Sequence, residues 1–440
     1  MNFIISVLYE VALWIVALVS IPKLVYNYIC LKKYRNSLLE RLGFKKHHFK
    51  KREDPVIWFH AVSIGETKAI ASLARQVKQL MPHCSIFVTS TSETGHAEAK
   101  RSLPFADHHF YMPFDFYYVV SRMVKEISPQ MVVLSESDFW YNFLNVAKKQ
   151  GAAIVLVNGK ISERSARRFK WVPFFSKRMF GLFDLFCMQN EPYQERLIEV
   201  GAPTDKMVVT GNLKFDDEYP QLSPEEITQW KQKLGIGLDQ FVITVGSSHN
   251  PEEQLIIATL QEISRSLPHI KIILVPRHPE RFKLVEGLLE KANLQWVSFS
   301  DIACRTGEEQ VILIDAMGML RMCYQLSDVA IVGGSFTDKV GGHNILEPCW
   351  YGKPVLFGPH MFTQAELVGL INHYKAGIQV SEGELAPTLL KLLQNSATRE
   401  ALGTKGLQLI KDLKGSTERT LQAMKPLLEK IPPSNAILEG

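Results

Sequence analysis

The sequence lacks the spacings that would declare its chemistry at once. Its six cysteines (Cys30, Cys84, Cys187, Cys304, Cys323 and Cys349) are far apart and form no C-x-x-C. That argues against a zinc ribbon or a redox dithiol and fits a reducing compartment. Thirteen histidines include no H-E-x-x-H, so no structural metal is expected. Neither G-x-G-x-x-G nor G-x-x-x-x-G-K-[ST] occurs, which disfavours a dinucleotide dehydrogenase and a P-loop NTPase. Low-complexity tracts are few. With 46% hydrophobic and 22% charged residues among 440, the chain reads as ordered and long enough for two domains.

A cleavable signal peptide is not expected either. Residues 3–22, FIISVLYEVALWIVALVSIP, would as a helix cover the roughly 30 Å of a bilayer's hydrocarbon core. No positive charge precedes the run and no small-residue cleavage site follows it. Lys23, Lys32, Lys33 and Arg35 follow instead, the asymmetry that keeps the C-terminal side in the cytoplasm. Glu10 is the flaw in this span, and an interfacial or buried helix with Glu10 at headgroup level is the alternative.

Next, LKKYRNSLLERLG sets Leu31, Tyr34, Leu38, Leu39 and Leu42 at helical spacing. Between Leu31 and Arg52 stand nine Lys or Arg against the single acid Glu40. The net charge is only +5, so it is this local patch that points to an anionic membrane surface. The basic groups lack interleaved aromatics, and no nucleic-acid partner is expected.

From Pro55 onward, short apolar runs alternate with helical patterns: VIWFHA, SIFVTS, MVVLSE, AIVLVN, DLFCMQ and MVVTGN. Such alternation predicts parallel βαβ units. The segment DDEYPQLSPEE, residues 216–226, reads as a linker. A second series follows: FVITVGS, KIILVP, VILIDA, DVAIVGG and PVLFG. The expected division is an anchor at 1–30, a basic juxtamembrane segment at 31–51, and a first domain at 52–215. The linker then leads to a second domain at 227–440 that includes closing helices. The fold class is α/β, two doubly wound Rossmann-like domains facing a cleft.

Four stretches carry candidate chemistry. HAVSIGET, residues 60–67, contains S-x-x-E at Ser63 and Glu66, which as a motif is a capping box. The same Glu66, after a strand end and beside Gly65, is also placed to act as a general base. VGGSFTDKVGGHNILEP, residues 332–348, puts Gly333, Gly334 and Gly342 after a strand and before a helix, the order expected of a phosphate-binding loop. Asn344 is then either a phosphate ligand or a helix cap. Glu347, three residues on, would share its helix face and accept from ribose hydroxyls. PRHPERF, residues 276–282, offers Arg277 and His278 at a strand end. GSSHNPEE, residues 246–253, offers Ser247 and His249 at a similar turn. Lys160, Arg164, Arg167, Arg168 and Lys170 suit phosphate groups, or form a solvated helix face.

HAVSIGE, TSTSETG, SESDFWYNF, NGKISERS, TGNLKFD, GSSHNPEE, VPRHPER and GGHNILEP, in this order, resemble the bacterial 3-deoxy-D-manno-octulosonic acid (Kdo) transferases of lipopolysaccharide synthesis. The resemblance covers nearly the whole chain. It implies a B-type glycosyltransferase fold at the inner membrane, with the catalytic domains on the cytoplasmic face. The implied donor, CMP-Kdo, would sit mainly in the C-terminal domain, where Gly318 and His343 join the residues above. The implied acceptor is a lipid A precursor, lipid IVA, held by the N-terminal domain. Glu136 is expected as an acceptor contact or as support behind one; Trp140 and Asn142 either contact sugar or brace the cleft, an aromatic such as Trp140 at a strand end being more often core. It also implies inversion, Glu66 as base, no cofactor and no metal. A B-type transferase or epimerase using a UDP-sugar is the alternative. Three motifs depart from the family pattern: Tyr141 replaces a proline, NGKISERS replaces N-A-R-L-S-E-R-S, and Met319 replaces a carboxylate. These departures are similar to chlamydial members, some of which add more than one Kdo.

Overall fold

The computed structural model describes residues 2–31, 34, 35, 37–44, 54–216, 219–237, 239–267 and 269–433. Lys32, Lys33 and residues 45–52 of the expected basic segment lie outside the described residues. The chain forms two units, Met1–Asp217 with Gly415–Gly440, and Glu218–Lys414.

The first unit holds a sheet of β1 (Val56–His60), β2 (Ser85–Ser90), β3 (His108–Tyr111), β4 (Met131–Ser135), β5 (Ala153–Gly159), β6 (Leu185–Met188) and β7 (Met207–Val209). Their order is β3-β2-β1-β4-β5-β6-β7, parallel throughout. Successive residues of β1 explain its unbroken apolar run. Trp58 enters one hydrophobic cluster while Ile57 and Phe59 enter another, so both sheet faces are covered.

The second unit repeats the plan. Its strands are β8 (Phe241–Ser248), β9 (Ile270–Pro276), β10 (Trp296–Ser298), β11 (Val311–Leu313), β12 (Val329–Val332), β13 (Val355–Phe357) and β14 (Gly377–Gln379). They lie in the order β10-β11-β9-β8-β12-β13-β14, again all parallel. Ile243 and Val245 face one cluster and Val242 the other.

Three strands have no counterpart among the apolar runs: β3, β10 and β14. Each lies at a sheet edge and is four residues or fewer. Short edges of this kind carry little apolar surface and resist pairing with other chains.

Two boundaries differ from expectation. Residues 224–226 are not linker but the start of the helix Pro224–Leu234, with Ser223 and Glu226 forming its capping box. The second unit does not run to the C-terminus. The helix Ser416–Leu428 belongs to the first unit, where Met424 and Leu428 are buried in the cluster that holds Ile57 and Phe59. Asp216 accepts from Gly415 N at 2.7 Å and from Thr417 N, and Thr420 Oγ1 donates to Thr210 Oγ1 at 2.9 Å.

The N-terminal helix Asn2–Ile29 is long and apolar enough over Ile4–Ile29 to cross a membrane. The pattern's flaw has a partner. Glu10 accepts from Asn142 Nδ2 at 2.6 Å and from Tyr117 N at 3.3 Å.

Candidate active site

In the first sheet the chain builds outward from β1 through β2 to β3, then returns with β4 on the other side of β1. A reversal of this kind opens a crevice at the strands' carboxyl ends. Glu66 stands there, in the first turn of the helix Ile64–Leu80 that follows β1. Ser63 Oγ caps this helix by accepting from Glu66 N at 3.4 Å. The Glu66 carboxylate accepts from the Ser63 hydroxyl at 3.1 Å and from Val62 N at 2.9 Å. In the capping box of Pro224–Leu234, by contrast, Glu226 returns to the N–H of the cap residue itself. Glu66 reaches one residue further back, to the chain just leaving β1. Burial pushes its carboxyl above the ordinary range. The nearby Glu136 and Asp138 carboxylates add to that shift, against the lowering by Val62 N–H and the Ser63 hydroxyl.

Glu136, just past β4, is buried and adopts φ +62°. Its carboxylate accepts from Lys214 Nζ at 2.6 Å and is also paired with Lys160. Lys160, expected as a phosphate ligand, therefore already has a carboxylate partner. Glu136 is likewise a neutralised carboxylate rather than a free acceptor contact. A Cβ on Gly65 would meet only Lys214 Cε and Nζ, at 3.9 Å, which leaves the approach to the helix start open.

Asn142 has a bracing role. It is buried, donates to Glu10 and to Asp115 O at 2.7 Å, and braces the N-terminal helix rather than facing the crevice. Its position opens the helix Tyr141–Lys149 on the inner side, where Asp115 accepts the Asn142 and Phe143 N–H groups at 2.9 and 2.8 Å. Trp140 precedes that helix and packs against the core, with its Nε1 buried and unpaired among the described residues. Arg164, Arg167 and Arg168 are exposed on the helix Glu163–Lys170, and Lys170 pairs with Glu199 at 2.7 Å.

Three residues of this site escaped the sequence reading: Lys214, His60 and Asp138. Buried His60 ends β1, with Nδ1 2.9 Å from Thr89 Oγ1 and Nε2 3.5 Å from Asp138 Oδ2. The signal for His60 was its place at the head of HAVSIGE. Lys214 gave none beyond being the one charge in TGNLKF. Beside Val62 opens a cavity of about 660 Å³. Lys23, Leu24 and Asn27 of the N-terminal helix line it, with Arg41, Ser92 and Thr94.

The second unit has its reversal between β8 and β12. Buried Glu252 joins the two loops there. It accepts from His249 N at 2.9 Å, Gly334 N at 2.5 Å and Phe336 N at 3.0 Å. Gly333 is required by close approach, since a Cβ would lie 2.6 Å from Ser247 O and 2.8 Å from Glu252 Oε1. Ser247 itself is held at φ +58°.

His249 Nε2 and His343 Nε2 are 2.7 Å apart with the rings stacked, so one donates to the other. His343 also lies against Gly334, where a Cβ would come within 2.8 Å of its ring. Burial pulls both imidazoles down to about 4, and neighbouring Arg277 and His278 add to the effect. Arg277 and His278 are exposed at the end of β9. Arg281, by contrast, is committed to buried Glu253. Gly318 is exposed at φ +84°, and Met319 beside it packs on an apolar cluster.

The expected helix after the glycine loop is a single turn, Leu346–Cys349. Asn344 precedes it, with Oδ1 accepting from Leu346 N at 3.0 Å, so the side chain acts as a turn cap. It therefore does not share a helix face with Glu347. The Glu347 carboxyl is raised by burial, against the pull of Arg321 and Arg277. Gly342, at φ +86°, is a second position where only glycine fits, its absent Cβ falling 2.2 Å from Met361 Sδ.

Two all-parallel, doubly wound units with polar crevices at their strand reversals define the architecture of B-type glycosyltransferases and sugar-nucleotide epimerases. Solved structures agree at the level of fold. A glycosyltransferase from Rickettsia africae ESF-5 matches with TM-score 0.57 and 13% identity, over 86% of this chain and 99% of that one. The UDP-GlcNAc 2-epimerase of Neisseria meningitidis bound to UDP-GlcNAc matches with TM-score 0.57 and 13% identity, over 85% and 100%.

Sequence comparison is more specific. The family model described as 3-Deoxy-D-manno-octulosonic-acid transferase (kdotransferase) matches residues 36–217. The 3-deoxy-D-manno-octulosonic acid transferase of Chlamydophila psittaci is 34% identical over 419 residues, 95% of each chain. That of Haemophilus influenzae is 32% identical over 407 residues, 90% of this chain and 93% of its own. The chain belongs to the Kdo transferase family, and its activity is Kdo transfer in lipopolysaccharide synthesis.

Proposed function

We propose that the chain transfers Kdo from CMP-Kdo to a hydroxyl of a lipid A precursor, lipid IVA, with inversion, adding one or more Kdo units. Glu66 takes the acceptor hydroxyl's proton as that oxygen bonds the anomeric carbon of Kdo. The bond from that carbon to the CMP phosphate oxygen breaks in the same displacement, and CMP leaves with the electron pair. Ser63 and Val62 N–H hold the carboxylate, and its raised pKa makes it a better base than an exposed glutamate. Arg277, beside the neutral histidine pair and the Gly333–Gly334 turn, supplies positive charge for the departing phosphate. The reading requires no metal. The chain is held at the cytoplasmic face of the inner membrane through its N-terminal helix.

The observation that carries this reading is the cavity beside Val62. Val62, whose N–H holds the Glu66 carboxylate, lines it together with Leu24 and polar residues of the N-terminal helix and the first unit, which suits an acceptor with acyl chains and a polar head. In detergent with CMP-Kdo and lipid IVA, Glu66→Gln is expected to bind CMP normally and to lose transfer by roughly 100-fold or more. Mass spectrometry then counts the Kdo units added by the native chain. Near-native turnover by Glu66→Gln would leave the carboxylate as a cap alone, and tighter binding of UDP than CMP would sink the donor assignment.

A further inference from the structure

The N-terminal helix has the length of a membrane span, yet one of its faces is already engaged. Ile5, Ser6, Tyr9, Glu10, Leu13, Ala17, Leu24 and Asn27 are its half-buried positions; they recur every three to four residues as far as Ala17 and return to the same face, two turns on, at Leu24 and Asn27. From Ile5 to Asn27 this stripe runs about 33 Å, as long as a hydrocarbon core is thick. At its start, Ser6 Oγ is 3.1 Å from Tyr141 Oη, and Tyr9 donates to Asp115 at 2.8 Å and stacks on Phe175. Glu10 is held by Asn142 and Tyr117, and Trp14 packs on Phe116. At its far end, Leu24 and Asn27 line the cavity with Arg41 and Thr94. The residues that would cross a bilayer are thus the residues docked on the first unit. Crossing would undock them and carry the Glu10 carboxylate into hydrocarbon, where nothing replaces its partners.

The other faces of the helix are apolar and open: Leu8 is 63%, Leu18 62% and Val19 76% exposed. Beside the docked stripe stand large aromatics of the unit itself. Tyr118 is two residues from Phe116, and Phe174 is next to Phe175; they are 77% and 72% exposed, with Trp171 at 82%. Aromatics of this kind settle at the water and lipid boundary. Immediately before Trp171 come the exposed Arg164, Arg167 and Arg168, a charge complement to anionic headgroups.

We propose that the helix Asn2–Ile29 lies in the plane of one leaflet of an anionic bilayer, with Tyr118, Trp171 and Phe174 inserted beside it, and does not cross to the other side. This rests on the membrane location proposed above and not on the identity of the acceptor. The N-terminus then stays on the same side as both units.

Cysteine labelling tests the topology. Cys30 and Cys304 are the exposed cysteines, and the other four are buried. With Cys30→Ser, Cys304 reports the side of the second unit; with Cys30→Ser, Cys304→Ser and Asn2→Cys, the N-terminus reports its own. A membrane-impermeant maleimide is added to sealed right-side-out and inverted vesicles. Labelling of both reporters from the same face is expected. Labelling of Asn2→Cys from the face opposite to Cys304 overturns the proposal.

As a second arm, Trp171→Ser with Phe174→Ser is expected to float with phosphatidylglycerol-containing vesicles roughly tenfold less well, through lost interfacial anchoring. Unchanged flotation overturns the insertion of these side chains. Kdo transfer in detergent micelles, measured in parallel, should persist in the double variant. Its absence in the native chain would instead fail the functional reading and leave the labelling result standing.

Discussion

The two units share one plan, seven parallel strands with a reversal beside the first, and differ in what stands at that reversal. In the first unit the reversal gathers carboxylates, Glu66, Glu136 and Asp138, with Glu136 paired to two lysines. In the second it gathers a neutral histidine pair, Arg277, and backbone organised by one buried glutamate. The carboxylates of the first suit the proton-accepting role proposed for Glu66, and the cation and backbone N–H groups of the second suit the anion binding proposed there. The comparison shows that topology chooses the place of chemistry, and the loops after the strands choose its kind.

The largest expected effect tests whether the glycines of the two crevices serve the same end. Gly333→Ala forces a Cβ against backbone at 2.6 Å, where nothing can move cheaply. CMP affinity measured by calorimetry is expected to fall by roughly tenfold or more, with strain of about 1–3 kcal/mol. Gly65→Ala meets only the flexible end of Lys214, so its unfolding temperature should match the native chain. If Gly65→Ala nevertheless loses transfer while CMP binding persists, the space above Gly65 belongs to the acceptor.

A smaller effect separates the units by pH. His249 and His343 sit at about 4 in the fold, against about 6.5 for an unfolded histidine. A depressed folded value contributes stability that is fully present above about 6.5 and lost as pH falls toward 4. The second unit should therefore lose stability between pH 6.5 and 4, and His343→Asn should flatten that dependence. An unchanged slope in the variant would show that the pair is not the source. In the first unit Glu66 is shifted the other way, and its raised pKa moves the acid limb of transfer above the ordinary carboxylate range.

The smallest effect concerns Ser63. Ser63→Ala removes a helix cap and one of two donors to Glu66, and should cost about 1 kcal/mol of stability. Transfer should survive, because Val62 N–H still holds the carboxylate. A loss of transfer as deep as that of Glu66→Gln would make the hydroxyl a partner in proton transfer.

Legibility in the sequence followed burial and locality. Long central strands read clearly because each is covered on both faces and is apolar throughout; β3, β10 and β14 did not, being short edges. Glu66 was readable from four consecutive residues, and so was its double character as cap and candidate base. The pairings of Lys160 and Asn142 were not legible for one reason. Their partners, Glu136 in one case and Glu10 with Asp115 in the other, lie 24, 132 and 27 residues away, and no local pattern encodes such pairings. Lys214 and Asp138 were missed on the same ground.

The helix Ser416–Leu428 carries a consequence for anyone who would take the molecule apart. The second unit is one uninterrupted stretch, Glu218–Lys414, while the first is stitched from two stretches on either side of it. A fragment stopping at residue 217 would bare the apolar surface that Met424, Leu428 and Ile431 cover, and would leave Asp216 without the N–H groups of Gly415 and Thr417. A frameshift at Gly415, sparing every residue discussed as chemical, would therefore be read first as insolubility of the half that holds Glu66.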